Sequence, residues 1–225
     1  MAENTGSKGR ITASEYSAKS FAISLMVLCL AGTAAWFGYI QIFTKGLERL
    51  PTKVCDRAVE RDLVIRTLPR TRTAEEGSSK RHEGEDLTFS CHVYTSADSI
   101  LSGMARVEDA STQQWLNHYG ASTDGDAVRV SAVGVEALAQ LDSGSGISSV
   151  YVPCVPRGSR AKEANESYAI ITEASVIGDG RASGAALRQA VTDFAYQLTQ
   201  HTYELAECRD PRTLPDKLPR YEDDK

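Results

Sequence analysis

Cysteine is the residue type in this chain whose number and spacing indicate a definite chemistry. Of five cysteines, Cys29 lies within a long apolar run, and the rest lie downstream of it: Cys55, Cys91, Cys154 and Cys208. Thiolate ligands of a structural zinc come in pairs separated by about two to four residues, and no two of the downstream cysteines are that close. An even number of widely spaced cysteines is typical of disulfides formed in an oxidising compartment.

The downstream cysteines allow three pairings. We predict Cys55–Cys91 and Cys154–Cys208, because each bond then joins a helix to a strand within one half of the chain. Each bond would contribute roughly 3–4 kcal/mol of stability in the chain-entropy description. Four buried reduced thiols, packed as small apolar side chains, are the alternative.

Histidine, glycine and acidic motifs give no comparable signal. The histidines are scattered, and a surface position fits them better than metal binding or catalysis: His82, His92, His118 and His201. Residues 178–184 resemble a phosphate-binding turn but lack the Lys-Ser/Thr of a P-loop, so a capped strand-to-helix turn explains them better. Asp124 and Asp126 lack the remaining ligands of a calcium loop. We therefore predict no catalytic residue, no cofactor and no bound metal.

Charge excludes one class of partner. The net charge is −5 with 24% charged residues, and no cluster of Lys and Arg dominates the chain beyond the apolar run. Nucleic-acid binding requires such a cluster, so we expect no nucleic-acid partner.

The apolar run is the strongest indication of location. Residues 20–44 contain no charge, between Lys19 and Lys45. As a helix, Phe21–Phe43 spans roughly 34 Å at the rise of an α-helix, against about 30 Å for a bilayer core. Aromatic residues gather towards its C-terminal end, as they do at a membrane interface. The sequence predicts a transmembrane helix over 20–44.

A cleaved signal peptide and a lipoprotein anchor are the alternatives. A signal peptide becomes polar after a small-residue cleavage site, but here the apolar character continues through residues 32–35 into Trp36 and Phe37. A lipoprotein cysteine follows a small residue, whereas Cys29 follows Leu28. We therefore favour a retained single-pass anchor.

Small residues on this helix suggest self-association. Ala31, Ala35 and Gly38, or Ala34 and Gly38, repeat at steps that place them on one helix face. Such patterns allow close helix packing in a membrane. A homo-oligomer formed through the transmembrane helix is therefore one prediction.

Flanking charge and cysteine content disagree about orientation. Fewer basic residues precede the span than closely follow it, and the positive-inside rule then places the larger part in the cytoplasm. Large C-terminal domains, however, translocate largely regardless of charge, and the cysteines favour an oxidising compartment. We predict a cytoplasmic N-terminus and an extracytoplasmic C-terminal domain.

Apolar periodicity predicts the elements of that domain. Alternation predicts two strand pairs and a further strand: 87–95 with 100–107, 148–155 with 167–177, and 128–134. Helical spacing predicts three helices: 52–66, 112–119 and 181–208. Charged or proline-rich composition predicts a disordered tail over 1–19, a mobile loop over 70–86 and a disordered tail over 209–225.

This order predicts an α+β fold. Strands joined by short hairpins form an antiparallel sheet, and helices at both ends of the domain must cover one of its faces. The predicted domain covers residues 45–208 and is stapled by two disulfides.

The layout resembles a broad set of actinobacterial membrane-anchored extracytoplasmic proteins whose function is not established. The likeness rests on a helix with Cys55, a strand with Cys91, the strand Val150–Cys154, and a final helix ending at Cys208. It covers most of residues 50–208. The resemblance implies a place in the cell envelope and a general build, and it transfers no site residues.

These observations predict a non-enzymatic binding or accessory subunit of a cell-envelope complex, with the membrane and a protein partner as its contacts. An envelope enzyme whose site is not recognisable from sequence is one alternative. A ligand-sensing ectodomain is the other, and its short N-terminal tail would require a second protein to carry the signal.

Overall fold

The structure is a computed structural model that describes residues 13–120, 127–142, 145–157 and 167–221. The chain forms two units, residues 1–42 and 43–225. Helix α1 (Ala13–Phe43) contains all described residues of the first unit, and its last residue, Phe43, belongs to the second. Within it, Ser20–Gln41 is long and apolar enough to cross a membrane, although a signal sequence passes the same test.

Helix α1 begins earlier than the sequence predicts. Composition predicts disorder over residues 1–19, but the helix already includes Ala13 and the residues after it. Because a helix costs free energy to nucleate and little to extend, the apolar run can extend helix into the polar residues before it. The disorder prediction is therefore wrong for residues 13–19, and residues 1–12 lie outside the described part.

The second unit is built on a seven-stranded antiparallel sheet with the order β3-β4-β5-β9-β8-β7-β6. Its strands are β3 (Ala74–Arg81), β4 (Thr88–Thr95), β5 (Ile100–Asp109), β6 (Val128–Ala132), β7 (Val135–Asp142), β8 (Ser145–Pro153) and β9 (Tyr168–Ile177). A separate two-stranded hairpin precedes it, formed by β1 (Lys53–Val54) and β2 (Val59–Glu60). The helices of this unit are α2 (Arg61–Thr67), α3 (Thr112–Gly120) and α4 (Gly184–Ala206). The predicted α+β fold is confirmed.

Helix α4 covers one face of the sheet and forms the main core with it. Its apolar stripe includes Val191, Phe194 and Leu198, all fully buried. Gly103 on β5 permits this close contact, because a Cβ there would lie 2.5 Å from Leu198 and 2.8 Å from Phe194. The long C-terminal helix predicted from its three- and four-residue spacing is confirmed.

Both predicted disulfides are present, Cys55–Cys91 and Cys154–Cys208. All four cysteines are buried. Cys154 directly follows β8, and Cys208 lies two residues beyond the end of α4, as expected for a strand tied to a helix. Cys55 departs from the expectation, because it lies in the β1–β2 turn rather than in a helix.

The turn at Cys55 explains why the predicted helix over 52–66 begins only at Arg61. Cys55, Asp56 and Arg57 all have a left-handed backbone, with φ of 55°, 54° and 66°. Non-glycine residues hold this conformation only when their surroundings impose it. The disulfide fixes the turn on one side, and the Cys55 N–H donates a 2.7 Å hydrogen bond to the Glu76 carboxylate on the other.

The mobile loop predicted over 70–86 is wrong for most of its length. Residues 74–81 form β3, an edge strand paired with β4 along its whole length. Its side chains are largely exposed on both faces, so they show no apolar alternation. Backbone hydrogen bonds to β4 specify the strand, and its charged residues are typical of a protected sheet edge.

The disordered tail predicted over 209–225 is also wrong for its described part. We call residues 209–221 the C-terminal strap, because they run back along α4. Tyr196 donates a hydrogen bond to the Pro215 carbonyl, and the Tyr221 N–H donates to the Gln189 side chain over 3.0 Å. Leu218 and Tyr221 are buried. Residues 222–225 lie outside the described part.

Shortening Leu218 tests whether the strap belongs to the folded core. Leu218→Ala should lower the free energy of unfolding by about 2–4 kcal/mol, because it removes a buried side chain and leaves a cavity. Thr213→Ala, at an exposed position of the same strap, should change it by less than about 0.5 kcal/mol. Urea denaturation of the full chain in mild detergent, with disulfides intact, measures both. Equal small effects would show that the strap contributes no packing.

Candidate binding face

The structure does not bring the sequence-predicted polar candidates together. His82 follows β3, His92 lies on β4 and His118 on α3, while His201 on α4 packs its ring 4.7 Å from that of Phe89. Among the described residues, no group of three or more His, Cys, Asp or Glu side chains could hold a metal ion. Asp124 and Asp126 lie outside the described part.

Two other motifs occupy the places expected from the sequence. Residues 178–184 connect β9 to α4, as the strand-to-helix interpretation predicts, although Ser183 makes no capping hydrogen bond with its side chain. Ala31, Ala35 and Gly38 lie on α1 within the apolar segment. Packing through these small residues stays a prediction.

The described residues cover the second face of the sheet over only part of its area. Helix α3 packs there through Trp115, which is 1% exposed and donates a 2.8 Å hydrogen bond from its indole N–H to the Ser149 hydroxyl. A small apolar cluster surrounds it on β7, β8 and β9: Leu138, Tyr151, Ala169 and Ile171. Helix α3 has nine residues, too few to reach across the whole sheet.

The remaining area, which we call the open face, is defined by three cross-strand rows. The strand register aligns Tyr94, Ile100 and Ile177 in the first row. The second row runs from His92 through Ser102 and Ser175 to Ile147, and the third pairs Ser90 with Met104.

Large apolar side chains on the open face are accessible to solvent. The exposed fractions are 49% for Tyr94, 42% for Met104, 45% for Ile147 and 55% for Ile177. The same register continues the first row to Glu75 on β3 and the third to Glu173 on β9, so the charged residues of these rows lie at their ends. A shallow groove of about 320 Å³ crosses the rows beside Met104 and Ile147.

A polar cluster forms the border between the open face and α3. The Arg106 guanidinium donates to Glu173 over 2.7 Å, and the Tyr119 hydroxyl donates to the same Glu173 oxygen over 2.6 Å. Arg106 also pairs with Glu108. Burial opposes the charge of Arg106, but Glu108 and Glu173 outweigh it and raise its pKa.

The Tyr119 hydroxyl in this cluster is held in its protonated form. Burial raises the pKa of Tyr119 above its ordinary value, and the hydrogen bond to Glu173 and the negative charge of that carboxylate raise it further. The phenol is therefore a hydrogen-bond donor that keeps its proton at any physiological pH. The cluster is better suited to orienting a contact than to transferring a proton.

A second groove contains a carboxyl group with an altered pKa. Asp193 on α4 lines it together with Arg66, Arg181 and Arg220. Burial raises the pKa of Asp193, while a 2.7 Å hydrogen bond from Gln189 and the nearby positive charges, Arg220 foremost, act in the opposite direction.

Comparison of the chain with protein-family models, with curated proteins and with solved structures finds no match. The resemblance to actinobacterial envelope proteins therefore stays a prediction.

Removing the Tyr119 hydroxyl tests the border cluster. Tyr119→Phe should cost about 1 kcal/mol of unfolding free energy near neutral pH, the usual net contribution of one hydrogen bond. The substitution should also make the free energy of unfolding fall less steeply with pH at alkaline pH. Above about pH 10 tyrosines of the unfolded chain ionise, whereas folded Tyr119 stays protonated, so the wild type loses stability as the pH rises.

Urea denaturation at a series of pH values measures this effect. Just above pH 10, the free energy of unfolding should fall with pH more steeply for the wild type than for the variant. The difference between the two slopes should correspond to at most one bound proton. Identical slopes for the wild type and Tyr119→Phe would contradict the arrangement of the cluster.

Proposed function

We propose that this chain is a non-enzymatic binding protein, anchored in a membrane by α1, whose domain lies outside the cytoplasm and holds a protein partner of the cell envelope. The observation that carries the proposal is the open face. It is a part of the sheet that exposes Tyr94, Met104, Ile147 and Ile177, with charged residues only at the ends of its rows.

The anchor and the compartment have separate support. Helix α1 contains a segment long and apolar enough to span a bilayer, and its apolar side chains are exposed, as a lipid-facing helix requires. Two disulfides, buried in the domain, are typical of proteins that fold in an oxidising compartment. Together they favour a tethered extracytoplasmic domain.

The composition and shape of the open face favour a protein as its occupant. Protein interfaces are enriched in Tyr and Met and depleted of charged residues at their centre, and the three rows follow that pattern. Small-molecule sites are concave and enclose most of their ligand, whereas the groove beside Met104 is shallow. The Arg106–Glu173 pair at the border would supply the polar rim that fixes orientation.

An envelope enzyme is the second candidate, and the groove at Asp193 is the observation that favours it. Catalytic acids often carry a pKa raised by burial. The Asp193 carboxyl, however, is already hydrogen-bonded to Gln189, and the surrounding side chains are arginines rather than a nucleophile or a base. Asp193→Asn would separate the two candidates, because it should leave partner binding through the open face unchanged.

The state of the cysteines in living cells tests the compartment. Cells that make the chain would be quenched in acid and treated with an alkylating reagent before the protein is mapped without reduction. The peptide carrying Cys55 should be linked to that carrying Cys91, and Cys154 to Cys208, while Cys29 alone is alkylated. Alkylated Cys55 and Cys208 would place the domain in a reducing compartment and overturn this part of the proposal.

A charge placed in the open face tests the partner surface. Ile177→Glu, opposite Ile100 on the same face, should weaken retention of the partner by roughly tenfold or more, because a carboxylate would be buried without a counter-charge. Retention would be measured with the tagged full chain in mild detergent. A photo-reactive residue at position 104 should crosslink to the same partner.

Val133→Glu is the matched control. Val133 is 88% exposed but lies in the β6–β7 turn, outside the open face. Both variants should keep the thermal stability of the wild type. Equal retention by both variants would contradict the proposal. A crosslink to a second copy of the chain would contradict an accessory role and show instead that the open face mediates self-assembly.

A further inference from the structure

The chain enters the domain through a segment that is fastened to it directly after α1. The Gly46 N–H donates a 2.8 Å hydrogen bond to the Thr71 carbonyl. A Cβ at Gly46 would lie 2.7 Å from backbone atoms of both Thr71 and Arg72, so only glycine permits this approach. The connection between α2 and β3 is therefore held against the residues that follow the apolar span.

Four basic residues lie within three positions of this contact between Gly46 and Thr71 along the chain. We call Lys45, Arg49, Arg70 and Arg72 the basic rim. Its three arginines are exposed to solvent, and the Lys45 ammonium pairs with Glu48 at 3.5 Å. The Arg72 guanidinium lies 5.3 Å from the centre of the Phe43 ring, a distance at which a cation is attracted to an aromatic face.

Chain connectivity keeps the residues directly after the span close to the membrane when α1 is inserted. The apolar span ends at Gln41, so Phe43 and Lys45 follow it within a few residues. Aromatic residues at the end of a span lie at the level of the lipid headgroups. Side chains in contact with Phe43, such as Arg72, are then within reach of the same headgroups.

We propose that the basic rim is a binding surface for anionic phospholipid headgroups. Guanidinium groups donate paired hydrogen bonds to phosphate oxygens, and basic residues beside a membrane attract anionic lipids. The inference rests on the membrane anchor of the proposed function and is independent of the open face. With phospholipid bound to the basic rim, the domain is held at the membrane by its own surface as well as by α1.

Lipid retained by the purified full chain provides the test. The chain would be extracted in mild detergent, equilibrated with equal amounts of phosphatidylglycerol and phosphatidylcholine, and its bound lipids counted by native mass spectrometry. The wild type should retain phosphatidylglycerol preferentially. Because each basic residue contributes roughly fivefold, the double variant Arg70→Gln/Arg72→Gln should reduce that preference roughly 25-fold.

The double variant Arg157→Gln/Arg220→Gln is the matched control, because both arginines are exposed and lie outside the basic rim. It should keep the preference of the wild type. An unchanged preference in Arg70→Gln/Arg72→Gln, or an equal loss in both double variants, would overturn the proposal. Extraction of membranes with alkaline carbonate distinguishes a failure of the membrane anchor from a failure of the lipid surface. Release of the chain would overturn the anchor and the lipid surface together, whereas a retained chain without lipid preference would overturn the lipid surface alone.

Discussion

The packing of α4 against one face of the sheet is the interaction on which the rest of the domain depends. Gly103 lets Phe194 and Leu198 come down onto β5, and the remaining core residues fill the space around this contact. The other elements of that layer are attached to α4 itself. Cys208 ties its C-terminal end to Cys154, the Gln197 side chain accepts a hydrogen bond from the Glu60 N–H, and the strap is bonded to Tyr196.

Because all of these elements are used on one face, little is left to cover the other. Helix α3 shields the part of the second face around Trp115, and the rows from Tyr94 to Met104 stay accessible. An antiparallel sheet tolerates a solvated face, but such faces usually carry polar side chains. The apolar side chains here are what makes the open face a candidate interface, and the Arg106–Glu173–Tyr119 cluster gives it a defined border.

Some of the basic residues that follow the span make hydrogen bonds or ion pairs within the folded domain. Counted as a topogenic signal they favour a cytoplasmic domain, whereas the buried disulfides favour the opposite side. In the folded domain Arg61 donates to the carbonyls of Glu48 and Leu50, and Lys45 pairs with Glu48. Basic residues with such structural contacts, or with contacts to lipid phosphates, occur on either side of a membrane. Their number is therefore a poor guide to orientation in this chain.

The sequence by itself determined the apolar span, the α+β class, the position of α4 and the presence of disulfides. These follow from patterns that residues carry locally: an uncharged run, alternation, helical spacing and cysteine number. Strand β7 gave no such signal, because its alanines and mixed polar residues do not alternate clearly. Composition alone predicts a loop for strand β3 and a disordered tail for the strap. Both are held instead by partners distant in the chain, through the backbone of β4 and the side chains of α4. The open face was likewise decided only by tertiary structure, since a strand sequence shows which side chains share a face but not whether a helix covers that face.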